Sequence, residues 1–370
     1  MTVLLLVGFL LIYLASGCWL AWVCAKPLSN SIAPDAAAWP PISILVAARN
    51  EAATIRRCLH HLAALDYPAH LVEVLIADDA SEDDTRSIVN SITNRHPTWY
   101  CLHISKQLGR ARGKSNALAH LVHAAQHELL LCVDADVAVP PDWATTLVQA
   151  AQTSGAALVV GTTLITGTAP LARAQALDWL RALALLQSAT RLGRPFTGMG
   201  NNQLIRKTAY LRTGGYEALP FSVTEDFQLF QELTRRGERV THLLTPGALA
   251  WALPVGNWAA LLRQRRRWLR GLFGGLTPAL AGAVALEAAV YPALLTLALA
   301  GAPGLALGAW AGKTFMQWAL LAVARRHLLL PRPTPADALL LEGYLVLMAV
   351  TLPIAGLLPG PVEWKGRKFR

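Results

Sequence analysis

Leu129-Leu130-Leu131-Cys132-Val133-Asp134-Ala135-Asp136 is the stretch on which the reading of this chain turns. Five apolar residues lead without a break into two carboxylates one residue apart, with no helical spacing. Such a run suits a strand covered on both faces, as in a parallel sheet flanked by helices. Val74-Leu75-Ile76-Ala77-Asp78-Asp79-Ala80-Ser81 has the same form earlier in the chain. Outward from these two, apolar strands and helically spaced segments alternate. Strands are expected at Ile42–Ala47, Val72–Ala77, Tyr100–Ile104, Glu128–Val133 and Ala157–Thr163, with helices at Ala52–Leu65, Asp83–Arg95, Lys114–Ala125 and Asp142–Gln152 between them. The alternation predicts an α/β fold with a doubly wound, Rossmann-like sheet, whose ligands gather at the carboxyl ends of the strands. Helical spacing also covers Pro170–Arg191 and Asp226–Arg236. A short strand is expected at Gln203–Ile205, after the glycine-rich turn Gly198-Met199-Gly200-Asn201-Asn202.

The 370 residues are 54% apolar and 15% charged, where a soluble domain carries about 25% charge. A mean hydropathy of +0.38 excludes a disordered chain and argues against a purely soluble one. The excess sits at the ends. Residues 1–38 hold two charged side chains and residues 271–362 hold seven, whereas residues 39–270 hold 18 acidic and 24 basic groups. The expected organisation is an N-terminal transmembrane helix (1–25), a proline-bearing linker (29–41) and a catalytic-sized domain (39–256). An interfacial arginine-rich helix (257–270), a C-terminal transmembrane region (271–360) and a basic cytoplasmic tail (361–370) follow. Apolar segments lie near 280–300, 304–323 and 338–358. Three full crossings would put the basic tail on the far side from the domain, against the positive-inside tendency, so one segment is expected to be re-entrant or interfacial. Glu287 and Glu342, inside these segments, are expected to reach a headgroup or a polar partner.

The formal charge of +10 is clustered. Arg263, Arg265, Arg266, Arg267 and Arg270 form one group, and Lys365, Arg367, Lys368 and Arg370 another. Both flank apolar stretches and are read as partners of anionic headgroups. Trp258, Leu261, Leu262 and Trp268 are expected to face lipid. Without aromatics interleaved along a soluble groove, the clusters argue against nucleic acid as a partner. The five cysteines show neither CxxC nor metal spacing and read as reduced core residues.

Carboxylates one residue apart at a strand end repel each other unless a cation lies between them. A divalent metal that also takes diphosphate oxygens suits such a pair. Thr224-Glu225-Asp226 precedes an apolar helix. Thr224 or Glu225 could serve as its cap, and Asp226 could serve as a base near an acceptor hydroxyl. On a helix, Gln264 shares a face with Arg267 and with Trp268. An arginine there can brace a leaving diphosphate, and an indole can wall an acceptor site.

In order along the chain, Asp78/Asp79, Asp134-Ala135-Asp136, Thr224-Glu225-Asp226 and Gln264-x-x-Arg267-Trp268 resemble the D, DxD, TED and QxxRW signature of membrane-bound family 2 glycosyltransferases. Ala48-Arg49-Asn50-Glu51-Ala52 and Arg112-Gly113-Lys114-Ser115-Asn116-Ala117-Leu118 belong to the same resemblance. Val362-Glu363-Trp364-Lys365-Gly366-Arg367 is similar to the terminal WxGR segment of ceramide-glucosyltransferase-like members. The resemblance implies a GT-A fold, a nucleotide-sugar donor (a UDP-sugar first), inversion at the anomeric carbon, and Mg²⁺ or Mn²⁺ as cofactor. It implies that Asp78 or Asp79 meets the nucleobase or ribose, with Ala48, Arg49 and Glu51 against the nucleoside and Lys114 and Asp134 on the donor. Asp136, helped by Asp134, would hold the metal. Asp226, beside Glu225, would take the acceptor proton, and Gln264, Arg267 and Trp268 would close the site at the membrane surface. The acceptor implied is a membrane lipid, giving a glycolipid. A growing glycan, as in a processive polysaccharide synthase, is the alternative, and a catalytically inactive membrane scaffold is the alternative of another class. The implied location is the inner cell membrane, with the catalytic domain facing the cytoplasm.

Overall fold

The computed structural model describes residues 1–26, 39–273, 275, 277–357, 360 and 362–369. The linker expected at 29–41 lies mostly outside the described residues. In chain order the elements begin with α1 (Thr2–Ala25), β1 (Ile42–Ala48), α2 (Ile55–Ala63), β2 (Val72–Asp78), α3 (Thr85–Thr93), β3 (Trp99–His103), α4 (Lys114–Ala124), β4 (Leu129–Val133) and β5 (Val137–Ala138). Then come α5 (Trp143–Ser154), β6 (Leu158–Val160), β7 (Thr162–Ile165), α6 (Pro170–Arg191), β8 (Asn202–Arg206), α7 (Lys207–Arg212), α8 (Gly215–Ala218), α9 (Glu225–Arg235), β9 (Val240–His242) and β10 (Leu249–Ala252). The chain continues through α10 (Trp258–Phe273), α11 (Pro278–Leu299), α12 (Pro303–His327), α13 (Pro335–Leu357), β11 (Val362–Trp364) and β12 (Arg367–Phe369).

Two compact units share these elements. One consists of the described residues of Ser29–Leu164, Thr197–Leu253 and Gly360–Arg370. Its main sheet has seven strands in the order β3-β2-β1-β4-β8-β6-β9. The four strands on the β3 side run parallel, as the apolar runs predict. β8 runs antiparallel to both neighbours, so the sheet is mixed. The physical reason is that the helix before β8, α6, is not a crossover on this sheet, and antiparallel pairing needs none. The strand expected at Ala157–Thr163 divides at Gly161. β6 stays in the main sheet and β7 joins a second sheet, β5-β10-β7. A Cβ at Gly161 would fall on the Asn202 side chain, so the backbones approach there as only glycine permits. Helix α3 starts two residues later than expected because the Asp83 carboxylate takes the Thr85 backbone N–H at 3.0 Å. Leu45, Leu75, Leu121, Leu130, Ile205 and Phe230 share one buried cluster, and each such side chain contributes roughly 1.5–3 kcal/mol by leaving water.

The other unit comprises α1, α6 and α10–α13. Helix α6 was expected in the catalytic-sized domain, but its buried Leu177, Leu180, Leu183 and Ala184 face belongs to a surface that packs on α1, α12 and α13. Among the described residues three helical spans, Thr2–Ala25, Leu280–Leu299 and Pro335–Leu357, are long and apolar enough to cross a membrane. Helix α12, counted among the apolar segments in the sequence, is not one of them. It carries Lys313 mid-helix and Arg325-Arg326 at its end. Within this unit the helices bury paired charge, since a buried ion needs a partner. Lys313 Nζ lies 2.6 Å from Glu342 Oε1. Tyr291 donates to the other Glu342 oxygen at 3.1 Å. Glu287 accepts from Arg181 at 3.3 Å and from Tyr13 at 3.4 Å. Both acids thus have protein partners.

Of the four α10 residues expected to face lipid, Leu261 is fully buried and Trp258 and Trp268 touch protein side chains. Trp258 meets the Tyr344 ring edge-on, with centroids 6.0 Å apart. Trp268 packs on Trp179 at 5.0 Å. Arg265 lies 4.4 Å above the Trp268 ring and bonds Asp178 at 3.1 Å. Ring contacts and a paired guanidinium each contribute stability, and the two tryptophans stay half-buried against these partners.

Candidate active site

Parallel register carries the acids of the sheet-bearing unit to one edge. Ala48 pairs with Asp78, and Asp78 with His103. Val133, the residue before Asp134, lies opposite Asn202 at the start of β8. The Asp134 backbone N–H donates to the Asn201 carbonyl at 3.4 Å. The next residue back, Gly200, donates its N–H to Asp226 Oδ2 at 2.8 Å. A Cβ on Gly200 would lie 2.8 Å from the Asp226 Cβ, so a side chain there would push this acid away. One turn therefore touches both the DxD and the TED segments.

Lys114 closes the same gap from another element. Its ammonium lies 2.6 Å from Asp134 Oδ1 and 3.1 Å from Glu225 Oε1. Gly113 precedes it at φ 56°, ψ −131°, a conformation open essentially to glycine alone, which starts α4 on Lys114. Burial alone would lower the Lys114 pKa, but Asp134, Glu225 and Asp226 together hold it above the ordinary lysine value. Burial and the neighbouring Glu225 raise the Asp226 carboxyl, while Lys114 and the Gly200 and Phe227 N–H groups oppose the rise. Asp226 accepts from Phe227 at 2.8 Å through its other oxygen. Thr224 makes no side-chain capping bond. The two acids in the first turn of α9 sit instead at its positive dipole end.

Asp136 is the acid left without protein donors. Its carboxylate accepts no hydrogen bond from any described residue, and its pKa is pushed up to about 6 by burial, then by Asp134 and Glu51. Among the described residues no group of three or more His, Cys, Asp or Glu side chains could hold a metal ion. The Asp134/Asp136 pair suits an ion that takes its remaining ligands from a diphosphate.

At the neighbouring strand end the two candidate nucleoside acids differ. Asp78 is fully buried and holds its own loop, accepting from the Ser81 N–H at 3.1 Å and from His103 Nδ1 at 3.1 Å. Asp79 faces Arg367 Nη1 at 2.6 Å. Arg49, expected on the donor, spends its guanidinium on the loops. It donates to the Asp79, Ala80 and Lys365 carbonyls and pairs with Glu82. Glu51 Oε1 meets Lys365 Nζ at 2.9 Å. The structure thus gathers Ala48, Arg49, Glu51, Asp78, Asp79, Lys114, Asp134, Asp136, Glu225 and Asp226 in one unit. Gln264, Arg267 and Trp268 lie on α10 in the other unit.

The tail cations were expected on headgroups, and two of them, Lys365 and Arg367, lie on carboxylates instead. Their signal in the sequence was the WxGR likeness rather than the charge count.

The profile of glycosyl transferase family 21 matches residues 2–370. The chain belongs to glycosyl transferase family 21. Among relatives of this family 21 chain is the beta-monoglucosyldiacylglycerol synthase of Synechocystis sp., 29% identical over 243 residues, 63% of this chain and 48% of that protein. Another is the poly-beta-1,6-N-acetyl-D-glucosamine synthase of Staphylococcus aureus, 28% identical over 235 residues, 62% of this chain and 54% of that one. The match spans about half the length of these relatives. Among solved structures, the mannosyltransferase PcManGT of Pyrobaculum calidifontis, in complex with GDP-Man and Mn²⁺, superposes with a TM-score of 0.57 at 21% identity, over 88% of this chain and 98% of that one. The family 21 chain therefore has the GT-A glycosyltransferase fold that the resemblance implied, together with helices apolar enough to span a membrane.

Proposed function

We propose that the protein transfers a sugar from a nucleotide-sugar donor to a hydroxyl of a membrane lipid, with inversion at the anomeric carbon. The observation that carries this reading is the single Lys114 ammonium touching both the DxD acid Asp134 and the TED acid Glu225, with Asp226 at its side. Catalytic acids from distant stretches converge as one-step displacement requires. Asp226 takes the acceptor proton. Two backbone N–H groups fix its oxygens and leave the remaining lone pairs for a hydroxyl. Lys114 opposes the rise in its pKa and so favours its ionised form. Asp134 and Asp136 would hold a divalent cation, whose chemistry would be to offset the negative charge of a departing diphosphate. The Mn²⁺ and GDP-Man bound by the structural neighbour and the glycolipid named for one relative support the cofactor, donor and acceptor classes.

The C-terminal hairpin belongs to the same compact unit as the acids. The chain from Pro254 to Pro359 then crosses the bilayer an even number of times. The apolar spans in α11 and α13 supply two crossings, and α12, with its charges, is the segment that does not cross. The positive-inside tendency then places the acids and the basic tail together in the cytoplasm, where nucleotide sugars are made.

Two measurements test the reading. Purified protein incubated with membrane lipid extract and a panel of radiolabelled nucleotide sugars is expected to move label into the organic phase. Label retained in a high-molecular-weight polymer would transfer the reading to a polysaccharide synthase. The second uses Asp136, whose raised pKa means that it binds a proton below about pH 6. Metal and proton compete for the same oxygens, so metal-dependent nucleotide binding is expected to weaken up to about tenfold per pH unit below that value. Asp136→Asn should abolish both the metal dependence and this pH limb. A variant that kept either would remove Asp136 from the cation site.

A further inference from the structure

The C-terminal hairpin has a two-residue turn, Lys365-Gly366, with φ of 46° and 80°. Paired positive φ values suit a tight hairpin, but a lysine occupies the first position against its preference. Its surroundings hold it there. The Lys365 carbonyl accepts from Arg49 Nε at 3.2 Å, and its ammonium reaches the Asn50 carbonyl at 3.3 Å as well as Glu51. Asn50 and Ala80, each at φ 52°, lie in the loops so engaged. Three of the four described non-glycine residues at positive φ therefore belong to this interlocked set, and such strain collects where a loop's shape matters.

The charges point the same way. Lys114 is taken by Asp134 and Glu225, and Arg49 by carbonyls and Glu82. Lys365 and Arg367 bring the further cations to the strand-end acids, and they stay about one-third exposed (33% and 32%), open to a ligand. Lys365 is also near enough to Asp136 to favour its ionised form. A tail serving only headgroups would have no cause to place these cations on Glu51 and Asp79.

We infer that the hairpin is a wall of the donor site, in which Lys365 exchanges Glu51 for the donor's diphosphate and Arg367 is a positioning residue that orients Asp79 toward the nucleoside. The inference rests on the nucleotide-sugar reading above. No bond is made or broken; one ion pair gives way to another of the same kind.

The test uses the full-length protein in detergent, with UDP and GDP, each with Mn²⁺, titrated by calorimetry, and uridine and guanosine followed by ligand-observed NMR. Lys365→Gln is expected to weaken nucleotide binding roughly tenfold or more while leaving nucleoside binding unchanged, and Lys365→Arg to restore it. Arg367→Gln is expected to weaken nucleotide and nucleoside alike. Unchanged nucleotide affinity in Lys365→Gln overturns the inference, as does tighter binding, which would make the hairpin a competitor of the donor. Loss of binding to anionic vesicles with nucleotide affinity intact overturns it too, in favour of a headgroup role. If the wild type binds neither diphosphate, the donor reading itself falls and the inference with it.

Discussion

Asp226→Asn is expected to lower turnover by about 10²–10⁴-fold, the usual worth of a positioned general base, with nucleotide affinity kept within a few-fold. The acid accepts two backbone N–H bonds, from Gly200 and Phe227, each at 2.8 Å. An asparagine carbonyl can keep one of them, while its amide opposes the other N–H. A modest loss of stability, about 1–3 kcal/mol, should accompany the loss of rate. Thermal unfolding separates the two effects. A variant that stays folded at the assay temperature yet turns over as fast as the wild type would take the base role from Asp226. Loss of nucleotide binding in step with the rate would make it a donor residue instead.

Lys114→Met is expected to destabilise the sheet-bearing unit strongly. Removing one member of a partly buried charge set leaves the others uncompensated, at a cost below the roughly 3–5 kcal/mol of a fully buried pair. Here the group left behind is Asp134, Glu225 and Asp226. The sign of the pH dependence follows from the directions of shift. The Lys114 pKa is raised, so its contribution is complete at any pH below the ordinary lysine value and fades only in alkali. Asp226, already raised by burial and Glu225, protonates more readily once it is gone. The gap in melting temperature between variant and wild type should therefore be widest near pH 8 and narrow as the pH falls toward 5. A gap independent of pH would mean that Lys114 acts by packing its stem and not by its charge. Activity is expected to vanish in this variant at every pH, because Asp134 and Asp226 lose the cation they share.

Much of the arrangement was legible before any coordinates. The uninterrupted runs Val74–Ala77 and Leu129–Val133 can be buried on both faces only in a sheet with helical cover, and the acids that follow them must then emerge at one edge. Pro170–Arg191 was read to its exact ends because proline starts it and its apolar spacing never lapses. Other positions were not legible locally. Nothing near Gly161 announces that the strand divides, since the cause is the Asn202 side chain pressing on it from β8. Helix α6 has the amphipathic face of any soluble helix, and only its partners assign it to the apolar unit. Trp258, Leu261 and Trp268 looked lipid-facing because hydropathy does not distinguish lipid from protein as apolar surroundings.

The family signature, the apolar ends and the order of strands and helices are properties of short windows, each carried by periodicity or by residues a few positions apart, and so the amino-acid order determined them alone. The different partners of Asp78 and Asp79, the Lys114 bridge, the Asp136 carboxylate that takes no bond from a described residue, and the turning of Arg367 and Lys365 onto acids 288 and 314 positions earlier were decided by tertiary structure. Coulomb and hydrogen-bond energies depend on distance in space, and a strand edge brings together residues whose separation along the chain carries no trace of it.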